Sequence, residues 1–432
     1  MDLTGKKIAV LGAGRSGMAA ARLARDLGGD VTLYDTKEEI VDVPRGVMPY
    51  PGASEELGCE VYSDLLVISP GIDTYGSYVK AFAKNTGELI GELELAARCY
   101  KGKVIAITGT NGKTTTTEVI EKILNHAGIP CRPCGNYGIP LAEVVLETPD
   151  LPAVALEVSS FQLETISQFR PDVVVWLNFS ADHMDRYPTI EAYKSAKMRI
   201  FENLSSEQTV VYRAGEQLGE LECKLLSFST EVDADYTFDG KWIQLAGEPV
   251  LDIEQTRLRG LHNAENAMAA LAACAQLGVK PEQAAEALAG VAPPLHRCEL
   301  VRILDNIEYI NDSKATNIHA LDNALRSQSR QLVLIAGGKD KGLDYSVVLD
   351  RLKHHAKSAV VFGEIGGQLE ALFAEVLPVI RVESLESAVL AARDLAEAGD
   401  TVLFSPGTSS FDMFSGYEAR GDAFREFVLN LK

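Results

Sequence analysis

Short apolar, β-branched runs recur along the chain. Each is closed by a glycine- or hydroxyl-rich loop and followed by helical spacing of apolar positions, which is the signature of buried parallel strands alternating with helices. Residues 6–12 (KKIAVLG) read as a strand, GAGRSG as a turn, MAAARLARDLG as a helix, and VTLYD as a second strand ending at Asp35. A further strand, LLVISPGI over 65–72, runs into a glycine turn at Gly71, and by about residue 91 another unit has begun. In that unit KVIAIT is a buried strand, VIEKILNHAG a helix stopping at Gly128, and 153–160 (AVALEVSS) and 172–178 (DVVVWLN) are buried strands. A helix over 189–204 follows. Between 236 and 258 the pattern changes, and Asp239-Gly240 signals a hairpin, so a few antiparallel strands are expected beside the sheet. A helix over 262–278 and a Pro-started helix ending near Gly290 precede VAPPLHRCE, where Pro293 and Pro294 break the pattern and mark a linker and pivot. The last block alternates again, with strands IEYI, QLVLIAGG, SAVVFG and DTVLFSPG and a final helix. The expectation is an α/β protein of three domains: 1–91, Rossmann-like; 92–294, a central phosphate-loop type α/β domain with a parallel sheet plus a small antiparallel sheet; and 295–432, Rossmann-like again.

A chain of 432 residues fits about three domains. Its net charge of −20 argues against a general nucleic-acid or anionic-membrane surface, so neither is an expected partner. No apolar run approaches the roughly 20 residues that span a bilayer, and the N-terminus enters a strand with no signal-peptide core, so the cytoplasm is the expected compartment. The seven cysteines are scattered, as reduced thiols are. Cys131 and Cys134 have C-x-x-C spacing but no second pair for zinc; they are either a redox dithiol or packing residues at a strand end.

The chemistry centres on TGTNGKTTTT, between a strand and a helix. Gly109 and Gly112 let the backbone of Thr110 and Asn111 turn its N–H groups toward phosphate oxygens. Lys113 adds a cation, the Thr114 hydroxyl a Mg²⁺ ligand, and the helix N-terminus behind them, with Thr115, favours anions. Ile107 stands where the strict phosphate-loop pattern has its first glycine, so the match is local. Glu157 ends an otherwise apolar strand, and burying it calls for a cation or for pairing with Lys or Arg. His183 lies in a loop between Asp182 and Asp185 and suits a metal or a phosphate. Lys197, by spacing alone, is a solvated lysine on a helix. Three polar runs follow strands of the last block: 311–317 (NDSKATN), 337–342 (GGKDKG) and 405–411 (SPGTSSF). Cations and hydroxyls at three strand ends of one domain suit a small acidic substrate. Against this stands the N-terminal G-x-G-x-x-G, with Asp35 placed 18 residues after Gly17, which by itself signals an NAD-dependent oxidoreductase. That reading leaves GTNGKT, Glu157 and the C-terminal loops unexplained.

Taken together, ITGTNGKTTTT, GNYGIP, LEVSSFQLE, LNFSADHMDRYPTIEAYKSAK, GLHNAENAMAA, HRCE, NDSKATN and SPGTSSFDMF resemble the ATP-dependent Mur ligases of peptidoglycan synthesis over essentially the whole chain. DHMDRY and the Ser-Ser-Phe-Asp ending are most similar to the members that add D-glutamate, and no D-N-P-R-type motif of the diaminopimelate- or lysine-adding members is found. The resemblance implies a monomer that joins D-glutamate to UDP-N-acetylmuramoyl-L-alanine with ATP and two Mg²⁺ ions. It implies that Lys113 and Thr114 hold ATP phosphates and Mg²⁺, that Glu157 shares that ion, and that His183 and a carbamylated Lys197 ligate a second. It puts Asn266, Arg297 and Asp312 on adenine, phosphate and ribose. Arg15, Ser16, Asp35, Thr36, Lys37 and Gly71 would surround uridine and diphosphate, and Asn136, Ser159 and Gln162 the muramoyl end. Lys314, Thr316, Lys341, Ser410, Phe411 and Tyr417 would receive D-glutamate. The GAGRSG loop differs from the family's usual one. Another ligase of the same family, adding a different amino acid, is the alternative.

Overall fold

The structure, a computed structural model, describes residues 1–432 except 185, 257, 259, 290, 292–294, 327 and 329. The expected pivot at Pro293–Pro294, and Asp185 and Gly290, lie outside the described residues.

Three sheets follow one another along the chain. In the first, Met48–Tyr50, Asp30–Tyr34, Lys7–Leu11, Ser63–Ile68 and Thr86–Gly91 lie side by side, all parallel. The helix Arg15–Asp26 crosses from the strand Lys7–Leu11 to Asp30–Tyr34. It packs so close to the preceding turn that a Cβ on Gly17 would sit 1.8 Å from the Gly12 carbonyl oxygen, so no larger residue fits there.

The second sheet has nine strands. Within it Lys103–Thr108 is flanked by Ala153–Glu157 on one side and Val173–Trp176 on the other, all parallel. These strands are buried on both faces, which is why they read as unbroken apolar runs. Ile105 and Ile107 face one core with Val119 and Met268; Val104 and Ala106 face the other with Val154 and Trp176. The expected antiparallel strands are Tyr236–Phe238, Trp242–Leu245 and Glu248–Asp252, and they continue the edge of this same sheet.

The third sheet orders Glu299–Leu304, Ile307–Asn311, Thr401–Phe404, Leu332–Gly337, Ala356–Phe362 and Val379–Arg381, with only the first pair antiparallel. The strands carrying the three polar runs are thus neighbours, so the runs meet at one edge.

The units are joined differently. The first and second sheets share one apolar core, in which Ile8, Val10 and Leu33 belong to the same cluster as Leu93, Val154 and Trp176. The third sheet has its own two cores, and polar contacts described below tie it to the rest. No helix among the described residues is long and apolar enough to cross a membrane.

Candidate active site

The phosphate loop sits at the carboxyl end of Lys103–Thr108 and opens the helix Lys113–His126. Gly112 has φ +87°, and a Cβ there would lie 2.3 Å from Asn266 Oδ1, so both backbone shape and packing demand glycine. The loop is tied down by its neighbour strand's end: the Thr110 N–H donates to the Asn178 carbonyl and the Asn111 N–H to Asn178 Oδ1, each at 2.9 Å. Lys113 Nζ folds back onto the carbonyls of Gly109 and Thr110, at 2.9 Å each. Desolvation lowers its pKa, opposed by the nearby Glu157 charge.

Glu157 is 2% exposed. Thr114 Oγ1 donates to its Oε2 at 2.9 Å and Asn136 Nδ2 to its Oε1 at 2.7 Å. Among the described residues no Lys or Arg forms an ion pair with it, so pairing with a basic side chain, one of the two expectations, is not what satisfies this carboxylate. Arg297 reaches in from the C-terminal side and donates to Thr114 Oγ1 at 2.7 Å. Lys113, Thr114, Glu157, Asn136 and Arg297 therefore converge on one point.

Lys197 overturns the reading from spacing. It is 1% exposed, its Nζ donates to the Gly109 carbonyl at 3.0 Å, and burial lowers its pKa well below that of an ordinary lysine. Tyr193 joins it to His183: Lys197 Nζ lies 5.1 Å from the Tyr193 ring, and the His183 ring is 5.8 Å from it. His183 has φ +57° and packs edge-on against Phe161.

Across the cleft, Asp312 accepts from Ser405 Oγ at 2.8 Å and from the Cys298 N–H at 3.2 Å, and burial pushes its carboxyl up to about 7. The three polar runs interlock: Thr408 Oγ1 donates to the Lys339 carbonyl at 2.6 Å, and Arg420 Nη2 donates to the Ser313 and Thr408 carbonyls. Lys314 Nζ stands 3.7 Å over the Tyr417 ring, and burial, then the Arg297 charge, lower it to about 8. Lys341 Nζ approaches the Thr316 carbonyl at 3.4 Å. Ser410 is buried beside them, while Phe411 is exposed at the rim.

The remaining predicted residues lie toward the first sheet. Both oxygens of Asp35 accept backbone N–H groups, of Ala13 at 2.6 Å and Lys37 at 2.9 Å, which leaves it shaping the turn around Ser16, Thr36 and Lys37. Arg15 Nη1 donates to the Gly138 carbonyl at 2.8 Å, two residues from Asn136, so the first turn abuts the central site. Gly71 is exposed, next to Ile72. Ser159 and Gln162 form a capping box on the helix Ser160–Leu163, behind Glu157. Cys131 and Cys134 are buried, unpaired and raised in pKa by burial, which fits packing rather than redox use.

Sequence reasoning assigned Asn266 alone in its helix. Asn266 accepts from Thr116 Oγ1 at 3.3 Å and donates to Asn263 Oδ1 at 3.2 Å. Asn263 and the half-buried His262, whose imidazole desolvation lowers to about 4, line the same cleft with His319 and Asn323. The i, i+3 spacing of Asn263 and Asn266 was the available signal.

Known proteins resemble this arrangement closely. The Mur ligase middle domain matches residues 107–274, and the glutamate ligase domain of Mur ligases matches 296–407. UDP-N-acetylmuramate-alanine ligase from Thermotoga maritima has the same fold, with a TM-score of 0.61 at 20% identity, covering 99% of this chain and 100% of that one. Fold, phosphate loop and matched domains define the class, a Mur ligase. The chain is 37% identical to the UDP-N-acetylmuramoylalanine--D-glutamate ligase of Syntrophotalea carbinolica over 446 residues, covering 100% of this chain and 99% of that one. It is 39% identical over 461 residues to the ligase of the same name from Pelotomaculum thermopropionicum, again covering 100% and 99%. The chain belongs to the family of UDP-N-acetylmuramoylalanine--D-glutamate ligases. An oxidoreductase reading of GAGRSG is not favoured by these relatives.

Proposed function

We propose that this protein is an ADP-forming ligase that couples ATP cleavage to joining D-glutamate to UDP-N-acetylmuramoyl-L-alanine, in the cytoplasmic assembly of peptidoglycan precursors. The observation that carries this reading is the meeting of Lys113, Thr114, Glu157 and Arg297 between the phosphate loop and the cation-lined third sheet.

The chemistry must bring a triphosphate and a carboxylate together, both anionic. Lys113 and Arg297 neutralise that charge, and the loop's backbone N–H groups and helix terminus hold the phosphates in place. The substrate carboxylate oxygen attacks the γ-phosphorus, ADP leaves, and an acyl phosphate forms. The amine of D-glutamate then attacks the acyl carbon and phosphate departs, with loss of one amine proton. The uridine and diphosphate lie against the first sheet at Arg15, Ser16, Asp35, Thr36, Lys37 and Gly71, and the muramoyl-alanine end runs by Asn136, Ser159 and Gln162. D-glutamate is held by Lys314, Thr316, Lys341, Ser410, Phe411 and Tyr417. Asn266 and Asp312 hold adenosine, with Asn111 and Thr115 beside it.

The donors fit Mg²⁺. Glu157 is a buried carboxylate beside a Thr hydroxyl, a hard oxygen set of the kind Mg²⁺ shares with phosphates. Among the described residues no three His, Cys, Asp or Glu side chains form a preformed cage. Bound Mg²⁺ supplies charge neutralisation for the phosphates and carboxylate. An unmodified Lys197 does not suit a second ion beside His183. Its depressed pKa suits a neutral amine that adds CO₂ and releases a proton, and the resulting carbamate is anionic.

Offering UDP-N-acetylmuramoyl-L-alanine with D-Glu, L-Glu, L-Ala or meso-diaminopimelate tests the reading. ADP release with D-Glu alone, abolished in Lys113→Ala, is the expected result. Full ADP release with another amino acid, or in Lys113→Ala, would overturn it.

A further inference from the structure

The C-terminal side of the nucleotide cleft is formed by the helix Ile318–Arg326, whose polar face the reading above leaves without a role. Leu321, Ala324 and Leu325 anchor it in the core of the third sheet. His319, Asn323 and Arg326, spaced by four and three residues, share the face turned to the cleft. The helix is capped by Asn317, whose Oδ1 accepts the Ala320 N–H at 2.8 Å. The same side chain donates Nδ2 to Asp182 Oδ2 at 3.1 Å, in the loop that carries His183. At the other end Arg326 pairs with Glu231.

Between these two ties, His319 touches the phosphate loop itself. Its Nδ1 lies 2.6 Å from Asn111 Nδ2, and Asn323 Nδ2, one turn along, approaches the same nitrogen at 3.2 Å. In this arrangement both amides turn their nitrogens to the ring, which assigns Nδ1 as the acceptor and the ring hydrogen to Nε2. Asn111 is otherwise held from its own side of the cleft, by its N–H on Asn178 Oδ1 and by its carbonyl, which accepts from Asn178 Nδ2 at 3.1 Å. The loop that cradles the phosphates is therefore fixed from below by the central sheet and from above by one acceptor on the C-terminal unit.

We infer that His319 is a positioning residue for ATP: by accepting the Asn111 amide across the cleft, it couples docking of the C-terminal unit to the shape of the phosphate loop. This rests on the reading of that loop as the ATP site. The imidazole acts through Asn111, so any group presenting an acceptor at the same reach serves.

The test uses the full-length enzyme and the ADP-release assay, with melting temperature as a check on folding. H319L and H319A leave the Asn111 amide without its acceptor. They are expected to raise KM for ATP about tenfold, the scale of an orphaned donor, with kcat and the KM for D-glutamate unchanged within about twofold. H319Q, whose Oε1 can accept, is expected to recover most of the loss. Combining H319A with N111A is expected to cost no more than the worse single change, because both remove one interaction. Wild-type KM for ATP in H319L and H319A, failure of H319Q to recover, or additive losses in the double variant would overturn the inference while leaving the ligase reading intact. A wild-type enzyme that releases no ADP from ATP would overturn the ligase reading, and this inference with it.

Discussion

Two lysines show how far a side chain's surroundings depart from what its neighbours in sequence suggest. Lys314 sits over Tyr417 and near Arg297, and its pKa is lowered to about 8. A lysine that binds a carboxylate must be charged, and a lowered pKa means the charge is lost earlier as the pH rises. We expect kcat/KM for D-glutamate to fall above pH about 8, some two units before an ordinary lysine would allow. In Lys314→Arg that limb should disappear; a wild-type profile flat to pH 10 would contradict the assignment. Lys197 is the second case. Its helix spacing reads as solvated, and only the fold shows it buried against Gly109. We expect activity to rise with added bicarbonate in CO₂-depleted buffer, and Lys197→Ala to lose at least about 100-fold in kcat, the scale of a lost metal ligand's support. Bicarbonate independence would contradict the carbamate. Glu157 was legible for the opposite reason: a carboxylate inside an apolar strand is costly enough to demand an explanation from sequence alone.

At the scale of elements, most of the fold was readable. Apolar runs gave the parallel strands because both faces of those strands are buried, and the Asp239-Gly240 turn gave the hairpin. The sequence pattern did not reveal that the hairpin strands extend the central sheet, since register and edge order depend on partners far along the chain. The phosphate loop was readable because its geometry is local: strand, left-handed glycine, lysine, helix. Gly112→Ala tests that element. Its Cβ would meet Asn266 Oδ1 at 2.3 Å in a backbone shape alanine rarely adopts. We expect ADP affinity, measured by calorimetry, to fall at least about tenfold with the melting temperature lowered by a few degrees. An unchanged affinity would contradict the loop's role.

At the scale of the molecule, the three units are not equivalent. The first two sheets share an apolar core, whereas the third meets the central one through polar side chains: Arg297 on Thr114, Asn317 on Asp182, His319 on Asn111 and Arg326 on Glu231. Few of these pairs could be read from sequence, because each joins residues more than 90 positions apart. On the proposed function the reacting groups meet between these units, where polar ties can open and close. A carboxylate held between these units, on the proposed reading, accepts the γ-phosphoryl group before the amine arrives. The direct measurement is the fate of ¹⁸O in the carboxylate of UDP-N-acetylmuramoyl-L-alanine during turnover with ATP and D-glutamate. An acyl phosphate predicts that each phosphate released carries one oxygen from that carboxylate; phosphate free of the label would contradict the account.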